Sequence, residues 1–158
     1  MKALARVLAI CLVALAGLAA CGNGNDAAQI KAVIEKADHE QEDAFAARDA
    51  SIMQDTNTAR NFVVMARTNE QFLAQGVAGI RLTKLEWGGI SITSATTATA
   101  NNWETWEQTD MDGNSSSARE REVYKLLKIG GSWKIDEIDY PDQGQTPTSA
   151  PTATPRSG

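Results

Sequence analysis

Between residues 27 and 49, Ile30, Val33, Ile34, Ala37, Ala44 and Phe45 recur at three–four spacing. This is the period of a helix that buries one stripe. Ala, Glu, Lys and Gln fill the remaining positions, so the spacing predicts a helix over Ala27–Asp49, capped by Asp26. Asp38, His39, Glu40, Glu42 and Asp43 fall mainly on the other face and predict a solvated flank. Ser51 to Asp55 reads as a single turn. A second helix is expected from Thr58, with Phe62, Met65 and Ala66 on one side. Thr68-Asn-Glu-Gln resembles a capping box and predicts a restart there, and Gly76 is a natural stop.

From Ile80 onward the pattern changes to β-branched and aromatic residues separated by turn signals. Strands are predicted at about 82–93, 96–109, 118–129 and 132–138. Gly88-Gly89 inside the first strand predicts a bulge or bend. Asp110-Met-Asp-Gly-Asn and Gly130-Gly131 predict hairpin turns, so consecutive strands must pair antiparallel. The fold class that follows is α+β: N-terminal helices packed on a curved four-stranded antiparallel sheet.

The first twenty residues change the picture of where this domain sits. Lys2 and Arg6 precede an uncharged apolar run, Val7 to Leu18, that is short for a bilayer span. The run closes in Leu18-Ala19-Ala20-Cys21, which resembles a bacterial lipobox. The resemblance implies cleavage before Cys21, lipidation of its thiol, and a protein lipid-anchored in the cell envelope, outside the cytoplasm. The chain then divides into a signal peptide (1–20), a lipidated Cys and short tether (21–25), one domain (26–140) and a Pro/Thr/Ser-rich tail (141–158). The tail is too poor in large apolar residues to order itself. A tether of about five residues reaches at most about 18 Å, which keeps the domain near the membrane.

Charge and cysteine usage then exclude several functions. Net charge is −5, and loss of Lys2 and Arg6 with the leader takes it to −7. Such a chain, without a basic cluster, is a poor nucleic-acid binder and is repelled by anionic head groups, so the lipid must supply the membrane attachment. Cys11 lies in the leader and Cys21 is the acylation site, leaving the domain without a thiol for a disulfide, a metal or nucleophilic catalysis.

Two stretches carry a family likeness: Trp103-Glu-Thr-Trp106-Glu, and Tyr124 through the Gly130-Gly131 turn to Trp133-Lys-Ile-Asp-Glu-Ile. With the helices before them they resemble the NTF2-like (SnoaL-like, cystatin-like cone) superfamily, especially the IMS-type domain of ARC6-like proteins. The resemblance covers about residues 26–140. It implies a cone-shaped α+β fold and, in the IMS-type branch, a non-catalytic interaction domain. Dehydratases and ketosteroid isomerases in the same superfamily keep open an alternative, a small enzyme acting on an apolar substrate in the cone.

The candidate chemistry is sparse. Trp87, Trp103, Trp106 and Trp133 are expected chiefly to fill space between sheet and helices. Trp103 and Trp106 differ by three and so belong on opposite faces. Trp87, Trp106, Tyr124 and Arg119 are the candidate contacts for a protein partner or small apolar ligand. Arg119 or Arg121 could meet an anion at the cone mouth, but the alternating Arg119-Glu-Arg-Glu122 run reads better as a guarded strand edge. His39 is flanked by acids and reads as solvated. Asp110, Asp112 and Asn114 mimic the start of a calcium loop, yet Ser115 and Arg121 stand where Gly and Glu are required. No catalytic residue, metal site or cofactor is expected. An isomerase-like site would need a carboxylate beside Tyr124 or Tyr140, and none reads as inward.

Overall fold

The computed structural model describes residues 22–143. The leader, Cys21 and the tail beyond 143 lie outside the described residues. Helix α1 (Gly22–Ala47) leads through a short 3₁₀ turn (Ala50–Met53) into α2 (Ala59–Ala74). Four strands follow: β1 (Val77–Ile92), β2 (Thr97–Asp110), β3 (Ser115–Ile129) and β4 (Ser132–Asp139). They form one antiparallel sheet in the order β1-β2-β3-β4, with the helices on one face.

The expected apolar stripe of α1 is the one that packs: Ile30, Ile34, Ala37, Ala44 and Phe45 are buried. Helix α1 begins five residues early, so the residues expected as a tether form its first turn. Asp26 is therefore inside the helix and caps nothing. Its carboxylate instead accepts from Lys128 Nζ at 2.6 Å and Trp133 Nε1 at 3.2 Å, fastening this end to the β3–β4 hairpin. Tertiary bonding here overrides the weak helix propensity of Gly-Asn-Gly-Asn.

Helix α2 starts beside Thr58, as expected, and Thr58 caps it by accepting from Asn61 N. The restart at Thr68 does not occur. Its hydroxyl donates to Val64 O within an unbroken helix, and Asn69 is buried. Gly76 ends α2 at φ +86.

The four strands lie where the alternation puts them, with β1 and β3 starting earlier than expected. Strand β1 slips register at three places, one of them Trp87/Gly89. Gly88 is required there: a Cβ would stand 2.9 Å from Asn101 O. Gly130 and Gly131, at φ +59 and +87, close the last hairpin. The core lies between α1 and the lower sheet and comprises Ile30, Ile34, Ala98, Ala100, Tyr124, Leu126, Trp133 and Ile135. A smaller cluster of Ala44, Met53 and Met65 joins α2 to it. Segment 56–58 lies along β4: Asn57 bridges Ile135 in parallel, with Thr58 N donating to Ile135 O and Ile135 N to Thr56 O.

Candidate functional site

Alternation along β2 places Ala98, Ala100, Asn102, Glu104 and Trp106 on the helix-facing side. Along β3 it does the same for Leu126, Tyr124 and Glu122. The cone interior therefore changes from apolar to acidic within one strand face. Asp38 arrives from α1, four residues after buried Ile34. It is 3 % exposed, so the expectation that it belongs to the solvated flank is wrong. So is the expectation that no carboxylate stands beside Tyr124.

Glu104 is the hub and has no exposed surface. Its Oε1 accepts from Tyr124 Oη at 2.7 Å and Asn102 Nδ2 at 2.9 Å, and its Oε2 accepts from Trp106 Nε1 at 2.8 Å. Tyr124 Oη also lies 3.3 Å from Asp38 Oδ1. A phenol has one proton, and the shorter contact takes it. The longer contact is a hydrogen bond when Asp38 is protonated and donates to the phenol oxygen. The order of donation is then Asp38 to Tyr124 to Glu104.

Electrostatics supports that order. Burial pushes Asp38 well above the usual carboxylate range, and the neighbouring Glu104 charge pushes it further. Burial, then Glu104, does the same to Glu122. Burial raises Glu104 as well, but hydrogen bonds from Tyr124, Trp106, Glu122 and Asn102 oppose it. Glu104 is thus the member best able to hold the negative charge. No cation offsets the cluster: among the described residues, no ion pair includes Asp38, Glu104 or Glu122. Both nearby phenols are pushed above their ordinary value, Tyr124 by burial and Asp38, Tyr140 by burial and Glu122. Asp38 Oδ2 and Asn102 Oδ1 are buried without a hydrogen-bond partner. No group of His, Cys, Asp and Glu among the described residues has a geometry that could hold a metal ion.

The residues singled out in the sequence do not form one site. Trp106 and Tyr124 meet through Glu104. Trp87 packs against the apolar core with Lys31 5.1 Å over its ring. Trp103 and Trp106 do point to opposite faces. Trp103 lies on the outer face, with the Arg119 guanidinium 4.1 Å above its ring, and Arg119 also pairs with Glu86. Arg119 is therefore away from the cone interior. It belongs to residues 115–122 of β3, which have no β4 partner, so this end of the strand is an edge. His39 is exposed. Asp110 closes its hairpin by accepting from Asp112 N and Asn114 N. Glu42 also departs from the solvated reading: its Oε1 accepts from Leu82 N at 2.5 Å.

Sequence reasoning missed Asp38, Glu104 and Glu122, though a signal existed. Glu104 is in phase with Ala98 and Ala100, and Glu122 with Tyr124 and Leu126.

Two helices packed on one face of a four-stranded antiparallel sheet give this chain the NTF2-like fold. The chain is similar to the crystallised intermembrane-space region of the chloroplast protein ARC6, with TM-score 0.61, 15 % identity, and coverage of 73 % of this chain and 95 % of that one. A putative aromatic ring hydroxylase from Novosphingobium aromaticivorans gives TM-score 0.56 and 12 % identity over 73 % of this chain and 89 % of that one. A ketosteroid isomerase-like protein from Erwinia carotovora atroseptica gives 0.51 and 21 % over 68 % and 91 %. At these identities the likeness is one of fold. No family model and no curated protein matches the sequence.

Proposed function

We propose that this protein is a lipid-anchored component of a bacterial cell envelope whose NTF2-like domain binds a partner through its outer surface and performs no chemistry in its interior. The lipobox-like Leu18–Cys21 supports the anchor. Among the described residues no helix is long and apolar enough to cross a membrane. One observation carries the non-catalytic reading: Glu104 is wholly enclosed, and both its oxygens are taken by neighbouring side chains. A substrate would have to displace Tyr124, Trp106 or Asn102 to reach it.

A second reading, an isomerase-like enzyme, is favoured by the same cluster's composition. A buried carboxylic acid, a phenol and a carboxylate in series are parts that general acid–base chemistry uses. It requires the cone to open.

Labelling native protein with a carbodiimide and an amine at pH 6, read by mass spectrometry, separates the two. Exposed Asp43 and Glu70 should be modified while Asp38, Glu104 and Glu122 resist. Modification of those three at the rate of Asp43 would overturn the closed reading. So would deuterium exchange into a small apolar ketone in heavy water that is lost in Asp38→Asn.

A further inference from the structure

The two ends of the sheet differ in chemistry, and α1 starts at one of them. Asp26 ties the first turns of α1 to Lys128 and Trp133, beside the β3–β4 hairpin. Lys128 N in turn donates to Thr96 O at 2.8 Å, which brings the β1–β2 turn to the same end. Both tips here are uncharged: Ser94-Ala95-Thr96 in one, and Ile129-Gly130-Gly131-Ser132 in the other. Ile129 is 50 % exposed. At the opposite end the hairpin is Asp110-Met111-Asp112-Gly113-Asn114, with two carboxylates and Met111 63 % exposed. Strand β3 links the ends, and its 15 residues span about 45 Å.

We propose that the uncharged end, comprising the 94–96 turn and the Ile129–Ser132 hairpin tip, rests on the lipid bilayer and holds the domain upright with the acidic Asp110–Asn114 hairpin outermost. This deepens the anchoring reading above and rests on it. Cys21 immediately precedes the first helical residue, Gly22. Gly22 stands four residues before pinned Asp26, roughly 6 Å along the helix axis, and Cys21 is joined to it by one peptide bond, so little slack separates anchor and domain. Charge selects the same orientation independently. A body of net charge −7 is repelled by anionic head groups, and standing on its uncharged end places Asp110 and Asp112 farthest away. Ile129 then has an apolar surface to meet.

The absence of thiols from the domain makes the test clean. Full-length lipidated protein carrying Ile129→Cys or Met111→Cys is spin-labelled and reconstituted in phosphatidylethanolamine/phosphatidylglycerol vesicles. Power saturation then compares access of oxygen and of a nickel chelate. The expected result is severalfold lower nickel access at 129 than at 111 in the same vesicles. Equal access at both positions, or the reverse order, in protein that floats with the vesicles overturns the orientation while the anchor stands. Protein that fails to float, with the Cys21 peptide unmodified by mass spectrometry, overturns the anchor and the orientation together.

Discussion

Two halves of one sheet face differ more than their sequences suggest. Low on the face, Ala98 pairs with Leu126 and Ala100 with Tyr124; two pairs further on, Asn102 faces Glu122 and Glu104 faces Glu120. The lower half packs Ile30, Ile34 and Trp133 against these strands. Its stability is a matter of filled volume and apolar area. The upper half encloses Asp38, Glu104 and Glu122, and its stability depends on how many protons it holds. Adjacent parts of one interior should therefore respond to different variables.

The largest expected effect tests the apolar half. Ile34→Ala should cost about 2–5 kcal/mol by cavity formation. Urea unfolding should give the same loss at pH 5 and pH 8. A loss that doubled between those values would mean that the halves are not separable.

Next comes the link between them. Tyr124→Phe removes a 2.7 Å donor from Glu104 while keeping the ring in the core. The loss of a hydrogen bond to a buried charged group is about 1.5–3 kcal/mol, measured at pH 7. A loss of only about 0.5–1.5 kcal/mol would mean that Glu104 is neutral when folded.

The smallest effect is the sharpest in sign. Asp38, Glu104 and Glu122 are all raised in the folded state from unfolded values of about 3.9 for Asp and 4.3 for Glu. Their contribution is complete below those values and is lost as pH rises through the folded ones. Glu35 and Glu42 on α1 and Glu120 on β3 add to the repulsion. Half-buried Glu137, held down by Lys125 and Arg60, acts oppositely: its contribution is present above the unfolded value and is lost on acidification. The melting temperature should therefore be higher at pH 5 than at pH 8, and Glu122→Gln should make that fall with pH shallower. A melting temperature that only rises from pH 5 to 8 would refute the protonated cluster.

The architecture was legible because periodicity reports it. The three–four stripe of α1 and the alternation in β2 and β3 respond directly to burial, and the glycine turns fix antiparallel order. The acidic interior was hidden for a physical reason. Charge type ordinarily marks the solvated face, so Asp38 beside His39 and Glu40 reads as outward with its neighbours. Parity along the strand is the stronger guide when the two conflict, because the pleat leaves Glu104 no other side to occupy. The early start of α1 was hidden for another reason: Asp26 bonds to residues more than a hundred positions away. No local pattern carries that.

The strip 56–58 laid against β4 has a consequence for self-association. By occupying the main-chain groups of Ile135, it denies a stray chain purchase on that rim. The opposite rim is protected by other means: three register slips interrupt β1, and Glu42 occupies the Leu82 amide. A continuous open rim would template polymer growth between copies. Along these two stretches edge-to-edge pairing between copies is obstructed, and the 115–122 end of β3 relies instead on its charged Arg119–Glu122 run.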